Sequence, residues 1–177
     1  MVRRRRLGRL IPALIVVVLL LPLLPVLFFR ILPPPVTPLM LLRLSEGHAL
    51  NRSWRDLEQI SPHLRRAVVA AEESRFCSHH GFDWDAIQAA VAGYGEGERL
   101  IGASTISMQT AKNVFLWPGR TFLRKGAEAY LTLYLEAFWP KRRILEVYQN
   151  VVEYGPGLYG AEAAANRYFH TPAATLT

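Results

Sequence analysis

The sequence has little cysteine and lacks several motifs that would assign a function at once. Its single cysteine, Cys77, excludes an intramolecular disulfide framework. No glycine-rich phosphate loop, serine elbow or H-E-x-x-H zinc motif is present. We therefore interpret His79, His80, Asp83 and Asp85 as structural residues rather than metal ligands, and no protein metal site is predicted.

Acidic residues are absent from the first 30 positions, which hold six arginines. The chain has 177 residues and a formal net charge of +7, so this segment carries most of the excess. The remaining 15 basic and 14 acidic residues nearly cancel. A basic footprint for DNA or RNA is therefore missing from the main body, and no nucleic-acid partner is expected.

Charge is also absent from Leu10 to Phe29, a run of 20 residues. About 20 apolar residues in a helix span the roughly 30 Å hydrocarbon core of a bilayer. The preceding arginines favour a cytoplasmic N-terminus, which places the rest of the chain outside. A cleaved signal peptide and a buried core helix are the alternatives. The long run and the following Pro33-Pro34-Pro35 disfavour the first, and the prolines at 12, 22 and 25 disfavour the second.

The residues after this run predict an all-α domain. We expect a basic tail at 1–9, an anchor at 10–30, a proline-rich stalk at 31–45 and a folded domain at 46–177. Leu39 to Leu42 is expected either to pack in the core or to enter the lipid surface. Helix starts are indicated by capping residues at Ser61, Asp83, Ser104 or Thr105, Thr121 and Pro140, with a last helix from 161 to 169. No period-2 strand is evident.

Two glutamates are candidates for acid/base chemistry. Glu72 follows Leu64 and Val68 on one helical row, which predicts that it faces the core and loses solvation. Glu73 lies about 100° round the helix and is expected to be solvated. Glu128 lies on a second row, four residues after Arg124. From spacing alone, each glutamate could equally form only a structural hydrogen bond or salt bridge.

A polar row on the helix after Gly102 adds candidate ligands. Thr105, Gln109 and Lys112 lie one turn apart, as on an ordinary solvated face or a substrate-binding face. Lys112 with Arg124 and Lys125 would suit a pyrophosphate.

Four ordered segments together resemble a known family. The sequence EESRFCSHHG (72–81) resembles E-D-x-x-F-x-x-H-x-G, and GASTISMQTAKN (102–113) resembles G-x-S-T-x-x-Q-Q followed by A-K-N. RKGAE (124–128) matches R-K-x-x-E, and KRRILEVYQN (141–150) resembles K-x-x-I-L-E-x-Y-L-N. These are the motifs of the peptidoglycan glycosyltransferases, glycosyltransferase family 51. The short stalk favours the monofunctional biosynthetic kind over class A penicillin-binding proteins. Glu73, Ala103, Met108 and Gln149 depart from the pattern.

The resemblance implies a lysozyme-like all-α fold on one transmembrane helix, and polymerisation of lipid II with release of undecaprenyl pyrophosphate. It implies Glu72 as the general base and Glu128 as the second acid. The implied substrate-binding residues are Ser104, Thr105, Gln109, Lys112, Asn113, Arg124 and Lys125. Further motif or structural positions are Phe76, His79, Gly81, Gly102, Tyr148 and Asn150.

The family also sets the expected surroundings and the alternatives. Lipid II, the growing glycan, membrane lipid and cell-wall synthesis proteins are the expected partners, and Mg²⁺ or Mn²⁺ could accompany the pyrophosphate. The expected location is the bacterial inner membrane, single-pass, with a periplasmic catalytic domain that lacks its C-terminal part. The alternatives are a lysozyme-like glycan-cleaving enzyme, which needs no pyrophosphate-binding cations, and an inactive membrane-anchored scaffold.

Overall fold

The computed structural model describes residues 12, 14, 16–95, 104–119 and 121–177. Residues 16–20 are helical, and the helices that follow are α1 (Leu23–Ile31), α2 (Pro38–Ser45), α3 (Pro62–Glu72), α4 (Trp84–Gly95), α5 (Ile106–Phe115), α6 (Phe122–Phe138), α7 (Lys141–Val151) and α8 (Ala161–Phe169). Short 3₁₀ helices cover Leu57–Gln59 and Ala173–Thr175. The strands are β1 (Asn51–Arg52), β2 (Glu153–Gly155) and β3 (Leu158–Tyr159). The predicted basic tail and Gly102 lie outside the described residues.

Capping residues set the helix starts as the sequence predicts. The Ser61 hydroxyl accepts from the amide of His63, and the Thr121 hydroxyl accepts from the amide of Arg124. Thr105, rather than Ser104, caps α5, because its hydroxyl accepts from the amide of Met108 at 3.1 Å. The Asp83 carboxylate caps α4 through the amide of Ala86. These bonds satisfy amides that lack intrahelical partners.

A small sheet is present that the sequence pattern does not predict. β1 pairs in parallel with β3, and β2 pairs with β3 in antiparallel fashion, giving the order β1-β3-β2. The helix that starts after Pro140 ends at Val151, and Glu153 begins β2. Strands of two or three residues are too short to show an alternating pattern, so periodicity cannot reveal them.

Helices α5, α6 and α7 enclose the main core. Its fully buried side chains include Ile106, Leu135, Ile144 and Val147. Arg124, Glu128, Leu131 and Leu135 lie along one face of α6 and are all buried. The polar pair of Arg124 and Glu128 is therefore buried next to the core.

The apolar N-terminal segment packs along α6. The hydroxyls of Tyr130 and Tyr134 donate to the carbonyls of Val18 and Leu19, and the Trp139 indole donates to Val26 at 2.7 Å. Val26 is fully buried, whereas the large side chains around it are mostly exposed. Within the described part of the chain, no single helix is both long enough and apolar enough to cross a membrane.

Helix α2 occupies the second half of the segment expected to be a stalk. Thr37 caps it through the amide of Met40, and Pro38 stands in its first turn, where a missing N–H has no cost. Met40 is buried, whereas Leu41 and Leu42 are exposed. The run from Leu39 to Leu42 therefore contributes one side chain to the interior and presents others outward.

Gln149 in α7 is a buried polar side chain without a partner. Its exposure is 0%, and neither its Nε2 nor its Oε1 has a hydrogen-bond partner among the described residues. An unsatisfied buried amide costs about 1–3 kcal/mol, and leucine has a similar volume. We predict that Gln149→Leu raises the free energy of unfolding by roughly that amount, measured by denaturant titration in detergent.

The matched control for this variant is Gln149→Asn. Asparagine keeps the unpaired amide and leaves a small void, so it should lower the free energy of unfolding. A Gln149→Leu chain that is less stable than the wild type would contradict the reasoning.

Candidate active site

Glu72 is the last residue of α3, and it lies at the edge of a cleft. The cleft is a cavity of about 250 Å³ between the α3–α4 connection and the start of α5, lined by Glu72, Glu73, Arg75, Asp83, Ser104 and Thr105 among others. Glu72 is exposed, and Gln109 Nε2 donates to its Oε2 at 2.8 Å. The predicted burial of Glu72 is therefore wrong. Helix α3 has no buried residue, because Leu64 and Val68 of its row are only half-buried against the core and the row reaches the surface at Glu72.

Glu73 takes the buried position instead. Its side chain accepts a hydrogen bond from the amide of Ile106 at 2.7 Å, and its other oxygen bonds to Nε2 of His79. Burial raises the pKa of Glu73, although the Ile106 amide and His79 oppose the shift. The expectation of a solvated Glu73 is wrong because α3 ends at Glu72, so helical geometry no longer sets the direction of the next side chain.

The other residues of the first motif hold this arrangement together. Phe76 is buried, and Lys141 Nζ lies 4.6 Å from the centre of its ring. Gly81 has φ +89°, and a Cβ there would lie 2.9 Å from Glu136 Cγ and Thr132 Cγ2. Its carbonyl accepts from the Thr105 hydroxyl at 2.7 Å. Glycine is therefore needed both for the backbone conformation and for the close packing on α6.

Cationic side chains gather around Glu128, which is only 2% exposed. Lys125 Nζ donates to Glu128 Oε1 at 2.6 Å and to the Ser104 hydroxyl at 2.9 Å, and Arg124 donates to Glu128 Oε2. Both oxygens of this buried carboxylate are thus used to hold cations. Arg124 Nε is buried and has no partner among the described residues.

Lys112 lies on α5 beside this cluster. Burial lowers the pKa of Lys112, and the Glu128 carboxylate opposes the shift, with a smaller opposing effect from Glu72. The ammonium thus lies in the field of both candidate acids. Lys112, Asn113 and Arg124 also line a second cavity of about 370 Å³, together with Arg43 and Trp117. The structure therefore brings the predicted cations together around Glu128, and Lys125 connects them to the cleft through Ser104.

The remaining predicted residues differ in what they can offer a ligand. The Thr105 hydroxyl is used by the helix cap and by Gly81, and Asn113 is largely buried. Asn150 is structural, because its side chain bonds both the amide and the carbonyl of Arg55 at 2.8 Å. Ser104 and Gln109 remain accessible at the cleft.

Sequence reasoning missed several residues that support the site. Glu136 accepts from Ser107 and from Lys141, which ties α5 and α7 to α6. Tyr154 of β2 lies close enough to Glu72 for the two groups to interact electrostatically. The fourth motif includes Lys141, but nothing in its spacing identifies Glu136 as the partner.

A carboxylate facing a cationic cluster, on a mostly helical scaffold, defines an enzyme site suited to transferring a sugar from a phosphate-linked donor. A family model described as transglycosylase matches residues 40–177. The chain belongs to this family, the peptidoglycan glycosyltransferases of glycosyltransferase family 51, and its relatives indicate the monofunctional biosynthetic kind.

Curated relatives carry the name biosynthetic peptidoglycan transglycosylase. The protein from Caulobacter vibrioides is 53% identical over 174 residues, covering 98% of this chain and 76% of the relative. That from Rhodospirillum centenum is 61% identical over 150 residues, covering 84% and 65%. That from Xylella fastidiosa is 48% identical over 169 residues, covering 92% and 70%. The matched part of this chain therefore spans about two thirds to three quarters of these relatives.

The buried Glu73 carboxyl generates a stability prediction. Because its folded-state pKa is raised above the ordinary 4.5, the folded chain binds this proton more tightly than the unfolded chain. The wild type should therefore lose free energy of unfolding, relative to Glu73→Gln, as the pH rises from about 4.5 through the folded-state pKa. Denaturant titrations of both proteins across pH 4 to 8 would measure this loss, which amounts to roughly 1.4 kcal/mol for each pH unit that separates the folded-state and unfolded-state pKa values.

Glu58→Gln is the control of opposite sign. A hydrogen bond from Arg142 lowers the pKa of the exposed Glu58. The wild type should therefore not lose free energy of unfolding relative to this variant as the pH rises. A wild type that gains free energy of unfolding relative to Glu73→Gln as the pH rises would contradict the role assigned to Glu73.

Proposed function

We propose that this chain polymerises lipid II into peptidoglycan glycan strands. The observation that carries the proposal is the accessible carboxylate of Glu72 at a cleft beside which the buried Glu128 holds a cluster of cations, with Lys125 bonded to Ser104 of the cleft. Membership of the transglycosylase family supports the same reaction, and the curated relatives are named for it.

Glu72 acts in this proposal as the general base. Its carboxylate takes the proton from the 4-hydroxyl of the acceptor GlcNAc as that oxygen attacks the anomeric carbon of the donor MurNAc. The new glycosidic bond forms as the bond to pyrophosphate breaks, and the configuration inverts from α to β. An exposed base at the edge of the cleft leaves room for a bulky saccharide acceptor.

The leaving group is undecaprenyl pyrophosphate, and its negative charge grows as the bond breaks. Lys112, Arg124 and Lys125 would stabilise this charge, with Arg124 and Lys125 already held in place by Glu128. The geometry supports a role for Glu128 in positioning these cations. Ser104, Gln109 and Asn113 are proposed as contacts of the donor sugar and its phosphates, and Thr105 supports them as the cap of α5.

The alternative functions find less support at the site. A lysozyme-like hydrolase requires a desolvated acid, but Glu72 is exposed. The reaction of such a hydrolase also has no pyrophosphate leaving group that three clustered cations would bind. An inactive scaffold has no need for Glu128 to be buried between Arg124 and Lys125.

The enzyme is proposed to work at the outer face of the bacterial inner membrane. The uncharged run from 10 to 29 would be a single-pass anchor with a cytoplasmic N-terminus, leaving the catalytic domain in the periplasm. The exposed apolar side chains of the described part of this segment would contact lipid. Cell-wall synthesis proteins are proposed as further partners.

A divalent cation, if it takes part, would enter with the substrate. Both oxygens of Glu128 already bind protein cations, and the described residues contain no group of three acidic, histidine or cysteine side chains placed to hold a metal. The donor set therefore does not fit a resident Mg²⁺ or Mn²⁺. We propose that the pyrophosphate oxygens themselves would be its ligands.

Glu72→Gln should abolish polymerisation, because the amide cannot accept the acceptor's proton. Purified full-length chain would be incubated in detergent with labelled lipid II and the glycan products separated by size. We expect turnover to fall by at least about 10³-fold with unchanged helix content. Glu58→Gln, the same substitution at an exposed glutamate outside the cleft, should polymerise normally. Normal polymer from Glu72→Gln would overturn the assignment.

Lys112→Ala should weaken use of the donor more than it weakens folding. Removing one charge from the leaving-group side should cost roughly 10²-fold in turnover of lipid II. The thermal midpoint should change little, because a half-buried ammonium adds little to stability. Lys112→Arg, which keeps the charge, should recover part of the rate. Unchanged turnover by Lys112→Ala would remove this residue from the pyrophosphate role.

A further inference from the structure

Tyr148 is a buried tyrosine whose hydroxyl contacts Gln109, the side chain that bonds Glu72. It lies near the end of α7, is 3% exposed, and donates to Gln109 Oε1 across 3.4 Å. Gln109 in turn donates from Nε2 to Glu72 Oε2 at 2.8 Å. Three elements, α7, α5 and the end of α3, are thus joined by one chain of hydrogen bonds that ends on the proposed base.

The chain of bonds has a direction that matters chemically. A glutamine side chain can present either its NH₂ group or its carbonyl oxygen to a neighbour. A hydroxyl that donates to Oε1 favours the orientation in which Nε2 faces the carboxylate. The Ser104 carbonyl, which accepts from Nε2 at 3.5 Å, favours the same orientation, so loss of the hydroxyl removes one of two contacts that hold the amide. A turned amide would place its carbonyl oxygen against Glu72 and repel the charge.

We propose that Tyr148 is a positioning residue for the transfer reaction, acting through Gln109 to keep an N–H donor on the Glu72 carboxylate. This inference rests on the proposed function of Glu72 as the base. It assigns a role to a motif tyrosine that touches neither sugar nor pyrophosphate in the proposed mechanism. It also moves Gln109 from the donor side of the cleft to the base.

Other ionisable groups around Glu72 do not replace this donor. Lys112 on α5 and Tyr154 on β2 interact with it electrostatically, and Arg75 and Asp83 lie across the cavity. Arg75 is paired with Asp83 and Asp85, and the Glu73 carboxyl is bonded to His79 and the Ile106 amide.

Tyr148 is suited to donate at every pH at which the enzyme is folded. Burial, followed by the negative charge of Glu72, raises the pKa of Tyr148 well above that of an ordinary tyrosine, and a weaker direct interaction between the hydroxyl and the Glu72 carboxylate acts in the same direction. The hydroxyl therefore keeps its proton and remains a donor, so the orientation of Gln109 does not depend on pH.

The experiment is the pH dependence of lipid II polymerisation by Tyr148→Phe in the full chain. We expect kcat to fall about tenfold with little change in KM, as for the loss of one hydrogen bond to a charged group. The acid limb of the kcat/KM profile should move to higher pH by roughly 0.5 to 1 on the pH scale, since a carboxylate without its donor is protonated more readily.

Tyr159→Phe is the matched control. Tyr159 is fully buried, and its hydroxyl also donates at 3.4 Å to an oxygen acceptor, Glu153 Oε1, but it is not part of the chain of bonds to Glu72. This variant should show the wild-type pH profile even if its thermal midpoint falls. An acid limb displaced equally in both variants, or in neither, would overturn the proposal.

A double-mutant cycle tests whether Tyr148 acts through Gln109. In a Gln109→Met background, Tyr148→Phe should cause little further loss of kcat, because the amide that it orients is gone. A full tenfold loss in that background would contradict the proposed relay.

If the wild type does not polymerise lipid II, the proposed function is refuted, and this inference is refuted with it. If the wild type polymerises lipid II but the pH profile of Tyr148→Phe is not shifted, only this inference is refuted.

Discussion

The buried carboxylate of Glu73 is the interaction on which the cleft depends. It reaches from the end of α3 to the first amide of α5, and its second oxygen bonds to His79. A carboxylate at a helix N-terminus satisfies an amide that has no intrahelical partner and interacts favourably with the helix dipole. The two walls of the cleft are therefore fixed relative to each other, with Glu72 on one and Ser104 and Gln109 on the other. Glu73 therefore stabilises the structure of the cleft, whereas Glu72 faces the space that a substrate would occupy.

The second buried carboxylate, Glu128, has a comparable task on the opposite side. An unpaired charge at such a position would be costly, but both of its oxygens accept bonds from cations. Glu128 thereby holds Arg124 and Lys125 in place before any substrate binds. Lys112, on α5, interacts electrostatically with the same carboxylate. A preorganised cluster of this kind stabilises developing charge without having to rearrange during the reaction. The base and the cations consequently lie on separate helices that pack against one core.

Much of this arrangement could be predicted from the sequence, and the reasons are local. Ser61, Thr105 and Thr121 cap helices as expected because capping depends on residues within one turn. The motifs also identified the chemistry, since their residue types are those that the reaction requires. Burial was harder to predict. Glu72 and Glu73 exchanged their expected environments, because the α3 row is only half-buried and reaches the surface at Glu72, and because Glu73 lies beyond the last residue of the helix. The three short strands and helix α2 depend on contacts between distant segments, which periodicity along the chain cannot reveal.

The division of roles, in which Glu72 reacts while Glu73 supports it, is tested most directly by comparing lipid II turnover by Glu73→Gln and Glu72→Gln. Both proteins would be assayed at one pH at which circular dichroism shows equal helix content. We predict reduced but measurable turnover by Glu73→Gln, because glutamine can still accept from the Ile106 amide, and none by Glu72→Gln. A folded Glu73→Gln without turnover, beside a Glu72→Gln that still forms polymer, would contradict this division.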